Sequence, residues 1–150
     1  MNEVDFGRIE QTFNIVLPSD YKQLLGSYPE VITEARELQL SDDPEWLIEQ
    51  NLYIREQPEA FFGKRKWLSE HFIIGEDGNG NCFYLNLKHG SPAPIFIMNH
   101  DSPDEHDIRI APSFESWIPK IRTELDEYQK NRACLQESRQ KHQKPWWKFW

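Results

Sequence analysis

Side chains able to do chemistry concentrate in two short stretches. The first is Gly75-Glu76-Asp77-Gly78-Asn79-Gly80-Asn81, whose oxygen donors invite a calcium-loop reading. Aligning Asp77, Asn79 and Asn81 with the first three alternate ligand positions of an EF-hand puts Cys82 where glycine is required. It also puts Lys88 where a bidentate glutamate must close the site. The match fails, and the glycines read instead as the positive-φ residues of a hairpin turn. A phosphate loop is excluded as well, because no Gly-Lys-Ser/Thr comes after it. The second stretch joins His100-Asp101 to Asp104, His106 and Asp107. Imidazole and carboxylate are ligand types a metal accepts, but their mixture in a polar segment reads more simply as a solvated acidic loop. Glu76 and Asp77 are adjacent in a turn and read as solvated charges rather than a general acid/base couple. Cys82 and Cys134 are too few and too far apart for a disulfide framework, and both are expected as reduced thiols. A Cys–His nucleophilic pair is a matter of spatial neighbours, and nothing local supports one. No GxSxG, HExxH or CxxC is present. The expectation is therefore no catalytic residue, no metal and no cofactor.

Charge divides the 150 residues into two unequal parts. Residues 130–150 hold six basic side chains against the single acid Glu137, a charge of +5. Residues 1–129 hold 11 basic against 24 acidic side chains, a charge of -13. So acidic a body lacks the basic footprint of a direct nucleic-acid binder. No apolar run approaches the ~20 residues of a membrane helix. The acidic start MNEVDFGR does not read as a signal peptide, and a cytoplasmic location is expected. The basic segment ends in KPWWKFW, with three of the chain's six tryptophans, Trp146, Trp147 and Trp150. Tryptophan and lysine suit a weak membrane-interface contact or a hot spot in a partner's groove. Folding back onto the acidic body and a flexible end are further readings.

The elements that position these groups follow from periodicity. Ile9 and Phe13 share a helical face that Val4 or Phe6 can extend. Ser19 is a candidate N-cap for a second helix, with Tyr21, Leu24, Leu25 and Tyr28 as one stripe that Pro29 ends. Partial alternation at Leu38 and Leu40 allows a strand within 31–41. Asp43-Pro44 is a helix start, and Trp46, Leu47, Gln50 and Ile54 carry that helix to about Glu56. Residues 57–66 read as a loop anchored by Phe61 and Phe62. Phe72-Ile73-Ile74, the Gly/Asn/Asp turn and Cys82–Leu87 make a β-hairpin. Ile95–Met98 is a third strand of a meander, succeeded by a polar loop over 99–107. Ser113 caps a last helix with Phe114, Trp117, Ile118, Ile121, Leu125 and Tyr128 on one face, expected to fray beyond Lys130. This predicts one α+β domain over 1–129, a mostly antiparallel sheet with flanking helices. A helical C-terminal extension then passes into a flexible basic tail over 130–150.

The order LPSDYKQLL (17–25), DPEWLIEQNLYIRE (43–56), Trp67, FIIGEDGNGNCFYLNL (72–87), PIFIMNHDS (94–102) and SFESWIPKI (113–121) resembles the SUKH superfamily, the Smi/Knr-type proteins. The likeness covers about residues 5–125 and departs at Gly26–Glu30, where the family often carries an Asn-Gly turn. The resemblance implies an α+β fold and a non-enzymatic protein-binding role. Many bacterial members act as immunity proteins that bind a toxin domain, often a nuclease or deaminase, and eukaryotic relatives act as interaction scaffolds. A body of -13 suits a basic nuclease surface. On this reading Glu76, Asp77, Asn79 and Asn81 on the hairpin tip and His100, Asp101, Asp104 and Asp107 on the next loop supply the polar contacts, from one end of the sheet. A scaffold or adaptor with a tail-mediated membrane contact is the alternative, and a small-ligand or metal-binding protein is a further one.

Overall fold

The structure, a computed structural model, describes residues 1–35, 39–57, 67–101 and 108–142. Helix α1, Glu3–Phe13, is opened by Asn2, whose side chain accepts from the Val4 and Asp5 amides while the Asp5 carboxylate accepts from the Asn2 N–H. This reciprocal cap satisfies donors that the first turn leaves orphaned. Phe6 and Ile9 are buried, and Val4 faces out. Helix α2, Ser19–Gly26, starts one residue earlier than its sequence signal suggests. Pro18 holds the cap position, and Ser19 is the first helical residue. The Ser19 hydroxyl instead meets that of Ser91, and Asp20 accepts from the Ser91 hydroxyl and the Ala93 amide, pinning the approach to the fourth strand. Tyr28 falls beyond the helix and donates its hydroxyl to the Leu40 carbonyl.

The expected strand over 31–41 begins instead as helix: α3 is Glu30–Glu34, and among the described residues of that span Gln39–Leu40 form strand β1. Val31 and Ile32 are adjacent and both buried, a pattern a short helix on a core allows and a one-sided strand does not. Helix α4, Pro44–Glu56, begins as its sequence indicates, with the Asp43 carboxylate accepting from the Glu45 amide.

Strands β2 (His71–Glu76), β3 (Cys82–Asn86), β4 (Ile95–Met98) and β5 (Ile108–Ala111) complete a five-stranded sheet in the order β1-β2-β3-β4-β5. Every neighbouring pair is antiparallel. Strand β5 has no sequence signal. It has four residues, includes Arg109, and buries only Ala111, so no alternation marks it. A bulge falls between Ile73 and Gly75, and β2 is buried on both sides. Phe72, Ile74, Phe83, Leu85 and Ile95 join the main core under the helices. Ile73, Cys82, Tyr84 and Met98 join a second cluster with Ile54 and Trp67.

Among the described residues β1 pairs with Gly75 and Glu76 and Ser41 donates to the Ile74 carbonyl, so the edge of β2 before Ile74 needs other partners. Asn51 of α4, fully buried, provides them: its amide donates to the Ile73 carbonyl and its oxygen accepts from the Ile73 N–H, at 2.9 and 2.8 Å. Arg55 donates to the His71 carbonyl. The apolar pattern of α4 does not single out Asn51, since it stands on the buried face as a polar residue. Its work there is to substitute for a missing strand.

The last helix, α5, is Phe114–His142, opened by the Ser113 hydroxyl accepting from the Ser116 amide. It continues through Lys130 to His142, past the point where periodicity predicts fraying. The apolar stripe does thin out there. Residues such as Lys130, Arg132, Ala133, Leu135 and Gln136 are good helix formers on their own account.

Candidate functional site

Antiparallel order sends the β2–β3 turn and the chain leaving β4 out of the same end of the sheet. Glu76 lies opposite Cys82, and Cys82 opposite Met98, so the hairpin tip and the segment after Met98 are forced together. The tip is built around Asp77. Its N–H donates to the Asn81 carbonyl at 3.1 Å. Its carboxylate accepts from the Asn79 and Asn81 amides at 2.8 and 3.1 Å, and from the Asn81 side-chain amide. Partial burial pushes the Asp77 carboxyl up, but the hydrogen bonds from Asn81 and Asn79 outweigh it and hold the carboxyl below its ordinary range.

Asn81 then reaches across. With its amide nitrogen committed to Asp77, its oxygen accepts from the His100 N–H at 3.0 Å and lies 3.0 Å from His100 Nδ1. The other ring nitrogen, Nε2, is 3.0 Å from the Asp101 carboxylate. An oxygen thus faces each ring nitrogen. Asp101 is fixed in turn by its N–H donating to Asn99 Oδ1 at 2.9 Å. Gly78 and Gly80 have φ of 73° and 91°. A Cβ at Gly80 would also stand 3.4 Å from His100 Nδ1, so this glycine serves both the turn and the approach of the ring.

The structure brings Asp77, Asn81, His100 and Asp101 into one chain of hydrogen bonds, with Asn79 exposed at the tip and Glu76 at the end of β2. It changes the meaning of one of them. The Asp77 carboxylate is occupied within the turn, so among the described residues the tip's remaining acids are the half-buried Glu76 and the exposed Asp101, the latter against His100 Nε2. Asp104, Asp107 and His106 lie outside the described residues, as do Phe61, Phe62, Trp146, Trp147 and Trp150. Sequence reasoning missed that Asn81 links the two loops and that Gly80 makes room for the link. The signal was the Asn on each side of Gly80, but the register that sets it against His100 is not a local property.

Behind the tip, Cys82 is buried and unbridged. Burial, with Glu76 and Asp77 nearby, pushes its thiol up to about 12, which leaves it a poor nucleophile. Cys134 is exposed and unbridged on α5. Among the described residues no group of three or more His, Cys, Asp or Glu could hold a metal ion. Among the same residues no helix is long and apolar enough to cross a membrane.

What the site can do is present a shaped, acidic surface. Its parts bond to one another, so they are ordered before any partner arrives. In comparisons with known proteins, the model of the SMI1 / KNR4 family (SUKH-1) matches residues 1–120. No curated protein and no solved structure matches the chain.

Proposed function

The chain belongs to the SMI1 / KNR4 family (SUKH-1), and from that membership we propose that it is a non-enzymatic binding module, an immunity protein that neutralises a toxin domain of a bacterial competition system. The family is consistent with an immunity-type module. The observation that supports the finer reading is the linked tip: Asp77, Asn81 and His100 hold two loops together, with Glu76 and Asp101 beside them at one end of the sheet. An inhibitor needs such a surface and needs no catalytic group. The charge of -13 on residues 1–129 favours a basic partner such as a nuclease domain, because complementary potentials raise the encounter rate and reject wrong partners.

The test is retention of a partner by tagged full-length protein from its own cells, at moderate salt, with the retained protein identified by mass spectrometry. The reading expects one stoichiometric partner whose isolated domain is toxic, and expects co-expression of this chain to restore growth. Paired reversals Glu76→Lys and Asp101→Lys should abolish retention, while Glu3→Lys on the far helix α1 should not. A toxic partner held equally well by the reversed tip would move the interface elsewhere. Absence of any stoichiometric partner would sink the immunity reading.

A further inference from the structure

Helix α5 carries one apolar seam along its whole length but buries only half of it. Phe114, Ile121, Tyr128 and Leu135 recur every seven residues, with Ile118 and Leu125 four residues after the first two, which is a single helical stripe. Phe114 and Ile121 are 3% and 5% exposed, whereas Tyr128 and Leu135 are 57% and 63% exposed. The division is structural: residues 126–136 are all exposed, so the second half of the helix extends past the body. A groove of about 870 Å³ opens where the two halves meet, lined by Phe83, Ile110, Ile121, Leu125 and Tyr128. The family match ends at residue 120, so the exposed half of α5 and residues 143–150 both lie beyond it.

We propose that the chain's own segment 143–150, QKPWWKFW, folds back and covers this seam from the mouth of the groove to Leu135. A proline disfavours helix at the residue before it, so the sequence Lys144-Pro145 favours the change of direction that the fold-back needs. Reach then selects the contacts. Eight extended residues span about 27 Å. Along a helix rising ~1.5 Å per residue, Leu135 lies about 10 Å, Tyr128 about 21 Å and Leu125 about 26 Å back from His142, but Trp117 about 38 Å. Trp146 and Trp147 therefore meet Leu135, Trp150 meets Tyr128 and the groove mouth, and Trp117 stays out of range. Charge agrees with this direction. Lys148, six residues past His142 and so about 20 Å along an extended chain, returns toward Asp126 and Glu127, and Arg132, which lines the groove, is placed to lie on an indole face.

Cys134 supplies the probe, being exposed beside Leu135 while Cys82 is buried. A bimane fluorophore on Cys134 of the full chain is quenched by tryptophan on contact. Quenching is expected in the unmodified seam and its loss in the Tyr128→Gln, Leu135→Gln variant, which keeps helix propensity but removes the apolar surface. A flexible tail colliding at random would quench both alike, and that result overturns the proposal. Quenching that fades on dilution would also overturn it, in favour of a second copy. A second measurement leaves α5 untouched. The methyl resonances of Leu125 and Leu135 should carry ring-current shifts that vanish in full-length Trp146→Ser, Trp147→Ser, Trp150→Ser protein, and identical methyl spectra in the two proteins would equally sink the fold-back.

Discussion

The polar groups of Asp77, Asn81 and His100 reach solvent at the end of the sheet, yet they bond chiefly to one another. Tyr128 and Leu135, on the far half of α5, also reach solvent and present apolar surface to it. A newcomer gains differently at the two places. At the tip the hydrogen bonds are already made, so the gain is shape and charge, and it is selective. On α5 the gain is area removed from water, at roughly 25 cal/mol per Å², and it asks little about the identity of the cover. The first region suits recognition of a particular basic partner. The second suits a cover that is always at hand, as a tethered segment is.

The most forceful way to break this comparison is to truncate the same seam at both ends. Ile121→Ala removes a buried branched side chain from between α5 and the core and should cost about 2–4 kcal/mol of unfolding free energy. Leu135→Ala, at the same position two repeats later, should change the unfolding of the body by no more than ~0.5 kcal/mol. Denaturant titration monitored by circular dichroism reads both. Similar losses at the two positions would mean that the far half of α5 folds with the core rather than extending from it.

That division explains which features are legible in the sequence. Asp43-Pro44, Ser113 and the run Phe72-Ile73-Ile74 carry their structural meaning within a few residues, and each stands where its local chemistry places it. The difference at 31–34 arises because the alternation of Leu38 and Leu40 does not extend to Val31-Ile32, which are adjacent, both buried and helical, while Gln39–Leu40 do join the sheet. Strand β5 stays hidden because pairing with β4, not its own pattern, makes it a strand. Beyond Lys130 the periodicity gives out, whereas the helix persists on intrinsic propensity. At the site, the polar loops and their common end are readable from the meander. That Asp77 is occupied internally, and that Asn81 is shared between Asp77 and His100, depends on the register of three strands. No spacing within seven residues encodes it.

The middle-sized effect sharpens the rigid side of the comparison. Gly80→Ala places a Cβ on a residue with φ of 91° and sets it 3.4 Å from the His100 ring. Backbone strain of this kind costs on the order of 1–3 kcal/mol. If the two loops are held as one unit, the variant should lower the unfolding free energy in urea by that amount and shift the His100 ring resonances, even though residue 80 is exposed. A stability unchanged within about 0.5 kcal/mol, the usual range for an exposed surface residue, would show that the tip is loose and the preorganised interface an illusion of one conformation.

The smallest effect tests whether Asp77 is part of that unit when ionised. Its folded pKa is held below the ordinary aspartate value of 3.8 by the Asn81 and Asn79 hydrogen bonds, against the opposing push of burial. A carboxyl depressed in this way binds protons more readily unfolded than folded. Its contribution to stability is therefore complete above the unfolded pKa and disappears as pH falls through the folded one. The wild type should lose stability below about pH 4, in the range where a free aspartate titrates, more steeply than Asp77→Asn, which has no proton to take up there. The gap between the two proteins should accordingly be widest near neutrality and narrow on acidification. A gap constant from neutral pH into acid would mean that the turn is organised by the geometry of residue 77 and not by its charge.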